Sequence, residues 1–126
     1  MTNKTEQLIQ DKGLTAPRVT PQDIEDNIAS VHYFTAEQGV LGAYHASDNV
    51  HQGDRPGIES TQSLGLLTFC VLVLKNGFTV TGESACASPQ NFNEEIGRKI
   101  ARENAINKIW PLMGYALKQK LHEQEA

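Results

Sequence analysis

The chain has 126 residues, of which 39% are hydrophobic and 21% are charged, a composition typical of one soluble globular domain. Its formal net charge of −4 argues against a general binder of duplex DNA or RNA, because such binding depends on cationic contacts to phosphates. The longest apolar run is too short to cross a bilayer as a helix, and the N-terminus lacks a signal-peptide core, so no membrane association and a cytoplasmic location are expected.

The first predicted helix follows a polar segment. Residues 1–16 predict a loose tail or a short helix that docks on a neighbour. Thr20 then suits the N-cap position and Pro21 the first helical position, and acidic residues follow near the positive end of the helix dipole. This pattern predicts a short helix from Pro21 to Ser30.

A second hairpin and a long loop are expected next. The segments His32 to Ala36 and Val40 to His45 flank a short connection that ends in Gly39. Because glycine readily takes the left-handed conformation of a bulged turn, the pattern predicts a hairpin here. Residues 46–63 are rich in Ser, Asp, Asn and Gly and predict a long surface loop.

The clearest β signal lies in the middle of the chain. Leu66 to Leu74 and Phe78 to Cys86 are two strand candidates, and Asn76-Gly77 between them is the favoured two-residue hairpin turn. Such a turn makes Lys75 face Phe78 and places Val73 opposite Val80.

The first strand of this hairpin is apolar on both sides, so it requires cover on both faces. An isolated hairpin is marginal in water. We therefore expect a helix on one face of the sheet and either further strands or a second subunit on the other, which predicts a homo-oligomer.

The C-terminal third predicts a long helix with Asn93 as its N-cap. Pro111 lacks a backbone donor, so a kink or restart is expected there. Apolar residues at helical spacing predict the face that packs on the sheet: Ile96, Ile100, Ile106, Trp110 and Met113. The expected fold is one α+β domain over residues 1–126, a small antiparallel sheet with a long Pro-kinked C-terminal helix and a short N-terminal helix.

Catalytic and metal-binding patterns are not found. The four histidines lack metal-ligand spacing, and there is no glycine-rich phosphate loop. Ser84 lacks the closing glycine of a nucleophile elbow. Cys70 and Cys86 are expected to be free thiols. The sequence therefore predicts no enzyme, no metal and no cofactor.

A group of cations near the start of the long helix is open to two interpretations. Arg98 and Arg102 share a helix face beside Lys99, and guanidinium groups match phosphate oxygens in pairs. The alternative is a solvated face of ion pairs four residues apart: Glu94 with Arg98, Glu95 with Lys99, and Lys99 with Glu103.

Other polar and aromatic residues fit a nucleotide site. Phe78 and Phe92 are candidates to stack on a purine, and Asn91 is a candidate to bond a base or ribose edge. Glu83 is a candidate to orient a ligand. The alternatives are that Phe78 belongs to the core and that Glu83 is a surface carboxylate.

Two segments carry a resemblance to a known family. Leu74 to Tyr115 reads LKNGFTVTGESACASPQNFNEEIGRKIARENAINKIWPLMGY and resembles small early proteins of tailed bacteriophages, and Arg18 to Ile28 resembles their N-terminal portion. That family is similar to Thoeris anti-defence proteins. These phage-encoded sponges fold as α+β protomers, form dimers or hexamers, and sequester glyco-cyclic ADP-ribose without cleaving it; some also hold cyclic oligonucleotides at a separate site.

This resemblance implies a ligand and a set of site residues. An aromatic ring would stack on adenine while Arg and Asn side chains hold ribose and phosphates, in a homo-oligomer in the host cytoplasm. The first candidates for these roles are Phe78, Asn91, Arg98 and Arg102. The second choices are Phe92, Lys99, Glu83 and Arg18.

Two rival functions follow from the same sequence. The first is a phage host-takeover protein that inhibits a bacterial enzyme by direct contact, with the acidic surface and residues 46–63 as its interface. The second is a small enzyme that acts on nucleotides, which the absence of a catalytic pattern disfavours.

Overall fold

The computed structural model describes residues 3–47 and 55–125, and its fold is α+β, as expected. The strands form one antiparallel sheet in the order β1-β2-β3, and the last helix packs on one face of it. In chain order the elements are α1 (Asn3–Asp11), α2 (Pro21–Asp26), β1 (Ile28–Thr35), α3 (Ala36–Ala46), α4 (Ile58–Leu64), β2 (Leu67–Leu74), β3 (Thr79–Ala85), a 3-10 turn (Pro89–Asn91) and α5 (Glu94–Glu125).

Helix α2 begins as the sequence indicates but ends early. The Thr20 side chain accepts a hydrogen bond from the Asp23 backbone nitrogen, and the Asp23 carboxylate accepts one from the Thr20 nitrogen, which is a capping box. The helix stops at Asp26 because β1 starts at Ile28, where it pairs with β2. The expected extension to Ser30 is wrong, since pairing with a distant strand outweighs local helix propensity.

The expected second hairpin is also wrong. Thr35 and Gln38 form another capping box, so a helix begins at Ala36 where a turn and a strand were expected. Gly39 in this helix packs against a ring edge: a Cβ added there would lie 3.1 Å from a ring carbon of Phe34. Strand β1 therefore finds its partner in β2 and not in the residues that follow it.

Part of the expected loop over residues 46–63 is helical. Residues 48–54 lie outside the described part of the chain. Ile58–Leu64 forms α4, which packs on α3. Ile58 is 77% exposed at its start.

The main hairpin forms, but its turn is one residue longer than predicted. The Leu74 nitrogen donates to the Phe78 oxygen at 2.8 Å, which leaves Lys75-Asn76-Gly77 as the loop. Gly77 has a φ of 90°, the left-handed conformation that a bulged hairpin turn needs. Val80 consequently faces Leu72 rather than Val73, and the expected register is wrong by one residue.

The packing of α5 explains this register. A Cβ on Gly82 would overlap the Ala101 carbonyl oxygen and the Ala105 backbone nitrogen, so the helix backbone lies directly on β3. Gly82 must then face the helix beside Cys70. A shift of one residue would turn Gly82 away and place a neighbouring side chain in its position.

Small residues form the first part of the buried face of α5. Gly97, Ala101 and Ala105 are buried, and they are followed by the larger buried residue Ile109. Of the expected apolar face, Ile106, Trp110 and Met113 pack against the core. Ile96 and Ile100 are 58% and 41% exposed, so their assignment to that face is wrong. The close approach over Gly82 leaves no room for branched side chains there.

Helix α5 runs without interruption through Pro111, so the expected restart does not occur. Pro111 and Asn107 are both exposed. Water can therefore replace the donor that the Asn107 carbonyl loses.

An ion pair joins α1 to the segment that precedes α2. Arg18 donates from Nη1 to Glu6 Oε2 at 2.8 Å and from Nη2 to Glu6 Oε1 at 2.7 Å. None of the residues of α1 is buried. Two alternatives were expected for the N-terminal segment, a loose tail and a short docking helix, and the structure shows the helix. Its best-defined contact with the rest of the chain is the ion pair between Glu6 and Arg18.

Gly82→Ala should destabilise the protein by about 3 kcal/mol or more, because the added methyl group overlaps helix backbone that cannot move independently. Urea unfolding measures the change. Gly42→Ala is the matched control, since nothing lies within 4 Å of a Cβ at this exposed helical position; it should be neutral or stabilising by up to about 1 kcal/mol. Equal unfolding midpoints for the two variants would contradict the packing described here.

The attachment of α1 should depend on pH. The hydrogen bond from Arg18 lowers the pKa of Glu6 below its ordinary value of 4.5, so the ion pair is complete above pH 4.5 and is lost as the pH falls through the lowered pKa. The NMR amide shifts of α1 should titrate with a midpoint below pH 4.5. Glu6→Gln in an Asp11→Asn background, which removes the other carboxylate of α1, should abolish this transition, and its persistence there would show that another group holds α1.

Candidate functional site

A groove runs between β1 and the first turns of α5. Because α5 packs over β2 and β3, the helix-facing side of β1 stays partly open. Tyr33 lies on that side, opposite the buried Cys70. We call this cavity the Tyr33 groove; its volume is about 700 Å³. Its lining comprises Tyr33, Asn93, Glu94, Glu95, Arg98, Lys99 and Arg102.

The start of α5 is held in place by a cap and by close packing. Asn93 Oδ1 accepts a hydrogen bond from the Ile96 nitrogen at 3.0 Å, as an N-cap does. One turn later, a Cβ on Gly97 would come within 2.9 Å of Thr68 Oγ1. This contact places the first turn against β2 and sets the position from which Arg98 projects.

The guanidinium of Arg98 covers the ring of Tyr33. Its central carbon lies 5.3 Å from the ring centroid, a cation–π distance. Arg98 Nη2 also lies 2.8 Å from Glu94 Oε1, which is the first of the helix ion pairs that the sequence indicates. The side chain is 45% exposed, so an outer surface of the guanidinium remains accessible to a ligand.

Arg102 is held by a carboxylate of α2. It donates from Nη1 to Glu25 Oε1 at 3.2 Å and from Nη2 to Glu25 Oε2 at 2.8 Å, so α5 and α2 share a bidentate ion pair. This hydrogen bonding raises the pKa of Arg102. Both side chains are partly exposed, at 32% and 47%, so solvent screening limits the energy of the pair.

The groove gathers several cations in an acidic protein. Three cations and two carboxylates line it, and the carboxylate of Glu25 bound to Arg102 brings their sum to zero, whereas the chain carries −4. The N-terminal turn of a helix adds positive partial charge to its surroundings. The Tyr33 groove can therefore attract an anion.

The structure brings together three of the residues expected from the sequence: Arg98, Lys99 and Arg102. Phe78 is not with them. It is 55% exposed and follows the Leu74 end of β2, whereas Arg98 lies over Tyr33, which pairs with Cys70. Cys70 and Leu74 are four strand positions apart, or about 13 Å.

The remaining expected residues also lie outside the groove lining. Asn91 is exposed and Phe92 half-buried in the connection before α5. Glu83 faces Phe69 on the sheet face away from α5, and its carbonyl accepts a hydrogen bond from Asn104 at 2.8 Å. Arg18 is paired with Glu6.

Sequence reasoning missed Tyr33 and Glu25. Tyr33 was placed in a hairpin that does not form, and only the pairing of β1 with β2 shows that it faces α5. Glu25 is separated from Arg102 by 77 positions, so no local spacing indicates their contact.

Sequence comparison decides the family of this chain. Residues 19–121 match the model of a phage protein family, N4 Gp49/phage Sf6 gene 66. The chain belongs to this family. The expected phage family is thereby confirmed, and the match includes every residue that lines the groove. No curated protein and no solved structure matches the chain. The similarity to Thoeris anti-defence proteins is not among these findings and stays a prediction.

Two further properties concern only the part of the chain that the structure describes. Within residues 3–47 and 55–125, no group of three His, Cys, Asp or Glu side chains is placed to hold a metal ion. No helix in those ranges is long and apolar enough to span a membrane.

The ion pair between Glu25 and Arg102 should be measurable by a double-mutant cycle. Alanine variants at both positions should show a coupling energy of about 1 kcal/mol in urea unfolding, the upper range for exposed pairs with bidentate geometry. High salt should reduce it. A cycle of Glu95 with Arg102 is the control and should be additive, since no hydrogen bond or ion pair joins them. Additivity in the Glu25 cycle would contradict the described contact.

Proposed function

We propose that this phage protein binds an anionic cyclic nucleotide in the Tyr33 groove and withholds it, intact, from a defence effector in the host cytoplasm. Membership of a phage protein family supports the viral setting. Glyco-cyclic ADP-ribose is the first candidate ligand, because the anti-defence proteins that the sequence resembles sequester it. Cyclic oligonucleotides are the second candidate.

The observation that carries the proposal is the guanidinium of Arg98 over Tyr33, with Lys99 and Arg102 lining the same groove. Arginine planes serve as stacking surfaces for bases, and Arg98 lies within cation–π distance of Tyr33. Lys99 and Arg102 supply charge for phosphates, Lys99 as a mobile point charge and Arg102 as a planar fork. A nucleotide needs this combination of a flat surface and cationic donors.

The size of the groove and its open side support the proposal that the protein binds its ligand as a homo-oligomer. A volume of about 700 Å³ lies within the usual range for small-ligand sites, which bury most of their ligand. The groove is open along one side, so one protomer leaves part of a nucleotide exposed. A dimer or hexamer in which a second copy closes that side would complete the enclosure.

Ligand capture tests the proposal directly. Purified protein is incubated with glyco-cyclic ADP-ribose, the free ligand is measured by chromatography, and the protein is then denatured by heat. We expect depletion of the free ligand followed by recovery of the intact compound. Recovery of an altered nucleotide would indicate an enzyme, and absence of depletion would overturn the proposal for this ligand.

Single variants locate the site. Arg98→Ala and Tyr33→Ala should each weaken capture by about fivefold to 150-fold, which corresponds to the 1–3 kcal/mol of a stacked base. Lys108→Ala removes the same charge from α5 outside the groove and should leave capture unchanged. Phe78→Ala is the aromatic control. A loss of capture in this variant would favour the site that the sequence predicts, in which Phe78 stacks on the base.

Inhibition of a bacterial protein by direct contact is the second candidate function. Ile58, in the segment assigned to that interface, is 77% exposed and is therefore accessible to a partner protein. This function predicts that Ile58→Glu abolishes inhibition while no nucleotide is captured by the wild-type protein.

A further inference from the structure

One of the cations in the groove already forms an ion pair with a carboxylate of the protein. Arg102 lines the Tyr33 groove, and Glu25 on α2 binds it through both terminal nitrogens. A guanidinium has five N–H donors, and two of them point to Glu25. The carboxylate thus uses the paired geometry with which arginine would bind a phosphate.

The other arginine of the groove is less engaged. A single Arg98 nitrogen, Nη2, approaches Glu94 at 2.8 Å, and the two residues lie one turn apart on the same helix. Such i,i+4 pairs are weak and rearrange easily. Arg98 can therefore receive a ligand without breaking a contact between elements, whereas Arg102 cannot offer its paired donors until Glu25 moves.

We propose that Glu25 determines ligand specificity in the Tyr33 groove: it is an internal counter-ion that an anionic group of the ligand must displace from Arg102. This inference rests on the proposed function. A phosphate or pyrophosphate replaces the lost ion pair with an equivalent charged contact. A neutral nucleoside provides no such replacement, so it gains nothing from Arg102 and binds through stacking alone.

The side chain of Glu25 can leave Arg102 without unfolding α2. Ile24, the preceding residue, is 1% exposed and belongs to the core, and the capping box of Thr20 and Asp23 holds the start of this helix. Glu25 is itself 47% exposed, so water can receive the displaced carboxylate. Variants at Glu25 should therefore fold.

The test compares Glu25→Gln with wild type, using inorganic pyrophosphate as the probe in an NMR titration of the α5 amides. Affinity should rise about twofold to fivefold, the factor expected when an exposed ion pair of up to about 1 kcal/mol no longer competes. Asp26→Asn removes the same charge from α2 without touching Arg102 and should leave affinity unchanged. Adenosine, which carries no phosphate, should bind equally to wild type and Glu25→Gln.

A second background shows whether Glu25 acts through Arg102. In the Arg102→Ala protein, adding Glu25→Gln should leave the pyrophosphate affinity unchanged. An equal increase in both backgrounds would overturn the inference, because it would indicate a general effect of charge. Absence of pyrophosphate binding in both wild type and Glu25→Gln would also overturn it.

The outcomes separate this inference from the proposed function. Tighter pyrophosphate binding in Glu25→Gln without capture of glyco-cyclic ADP-ribose by wild type would support the role of Glu25 and reject that ligand. Capture of glyco-cyclic ADP-ribose, with equal affinities of wild type and Glu25→Gln for both this ligand and pyrophosphate, would support sequestration and overturn the role of Glu25.

Discussion

The contact between the backbone of α5 and Gly82 is the constraint on which the rest of this fold depends. Because Gly82 lacks a side chain, Ala101 and Ala105 bring the helix directly onto β3. The contact excludes the register expected from a two-residue turn, since a slip of one residue turns Gly82 away from the helix. The placement of the helix over β2 and β3 also leaves β1 partly uncovered, and this uncovered strip forms the floor of the Tyr33 groove.

Two cations of the helix form ion pairs in the structure, and their role as phosphate donors stays a proposal. Arg98 pairs with Glu94 one turn away, as the ion-pair interpretation predicts, whereas Arg102 pairs with Glu25 on α2, which that interpretation does not include. The same contacts hold the two guanidinium groups in a groove where an anion can compete for them. An exposed ion pair contributes little to stability, so exchanging its carboxylate for a phosphate costs little. The site then needs no free cation to attract a charged ligand.

The family match covers the groove but not the N-terminal helix. Residues 19–121 contain the sheet, the Tyr33 groove and Glu25. Helix α1 and its partner Arg18 lie before this range, and α1 contributes no buried residue. The features that carry both proposals therefore lie in the segment that defines the family.

The sequence by itself determined the features that depend on neighbouring residues. The caps at Thr20 and Asn93, the presence of the hairpin, and the grouping of Arg98 with Arg102 are all local, because a capping bond or a helical turn spans only three or four positions. The capping box at Thr35 was an equally local signal, and reading it would have predicted α3 in place of the second hairpin.

Only the tertiary structure decided the features that join distant parts of the chain. The register of the hairpin depends on a helix that begins after it, and the position of Tyr33 depends on β1 pairing with β2. The ion pair of Glu25 with Arg102 forms across 77 positions. No periodicity encodes such contacts, because they result from which surfaces pack together once the helices and strands have formed. The groove and the ion pair of Glu25 were therefore decided by the tertiary structure. The grouping of Arg98 with Arg102 on one helix face was determined by the sequence.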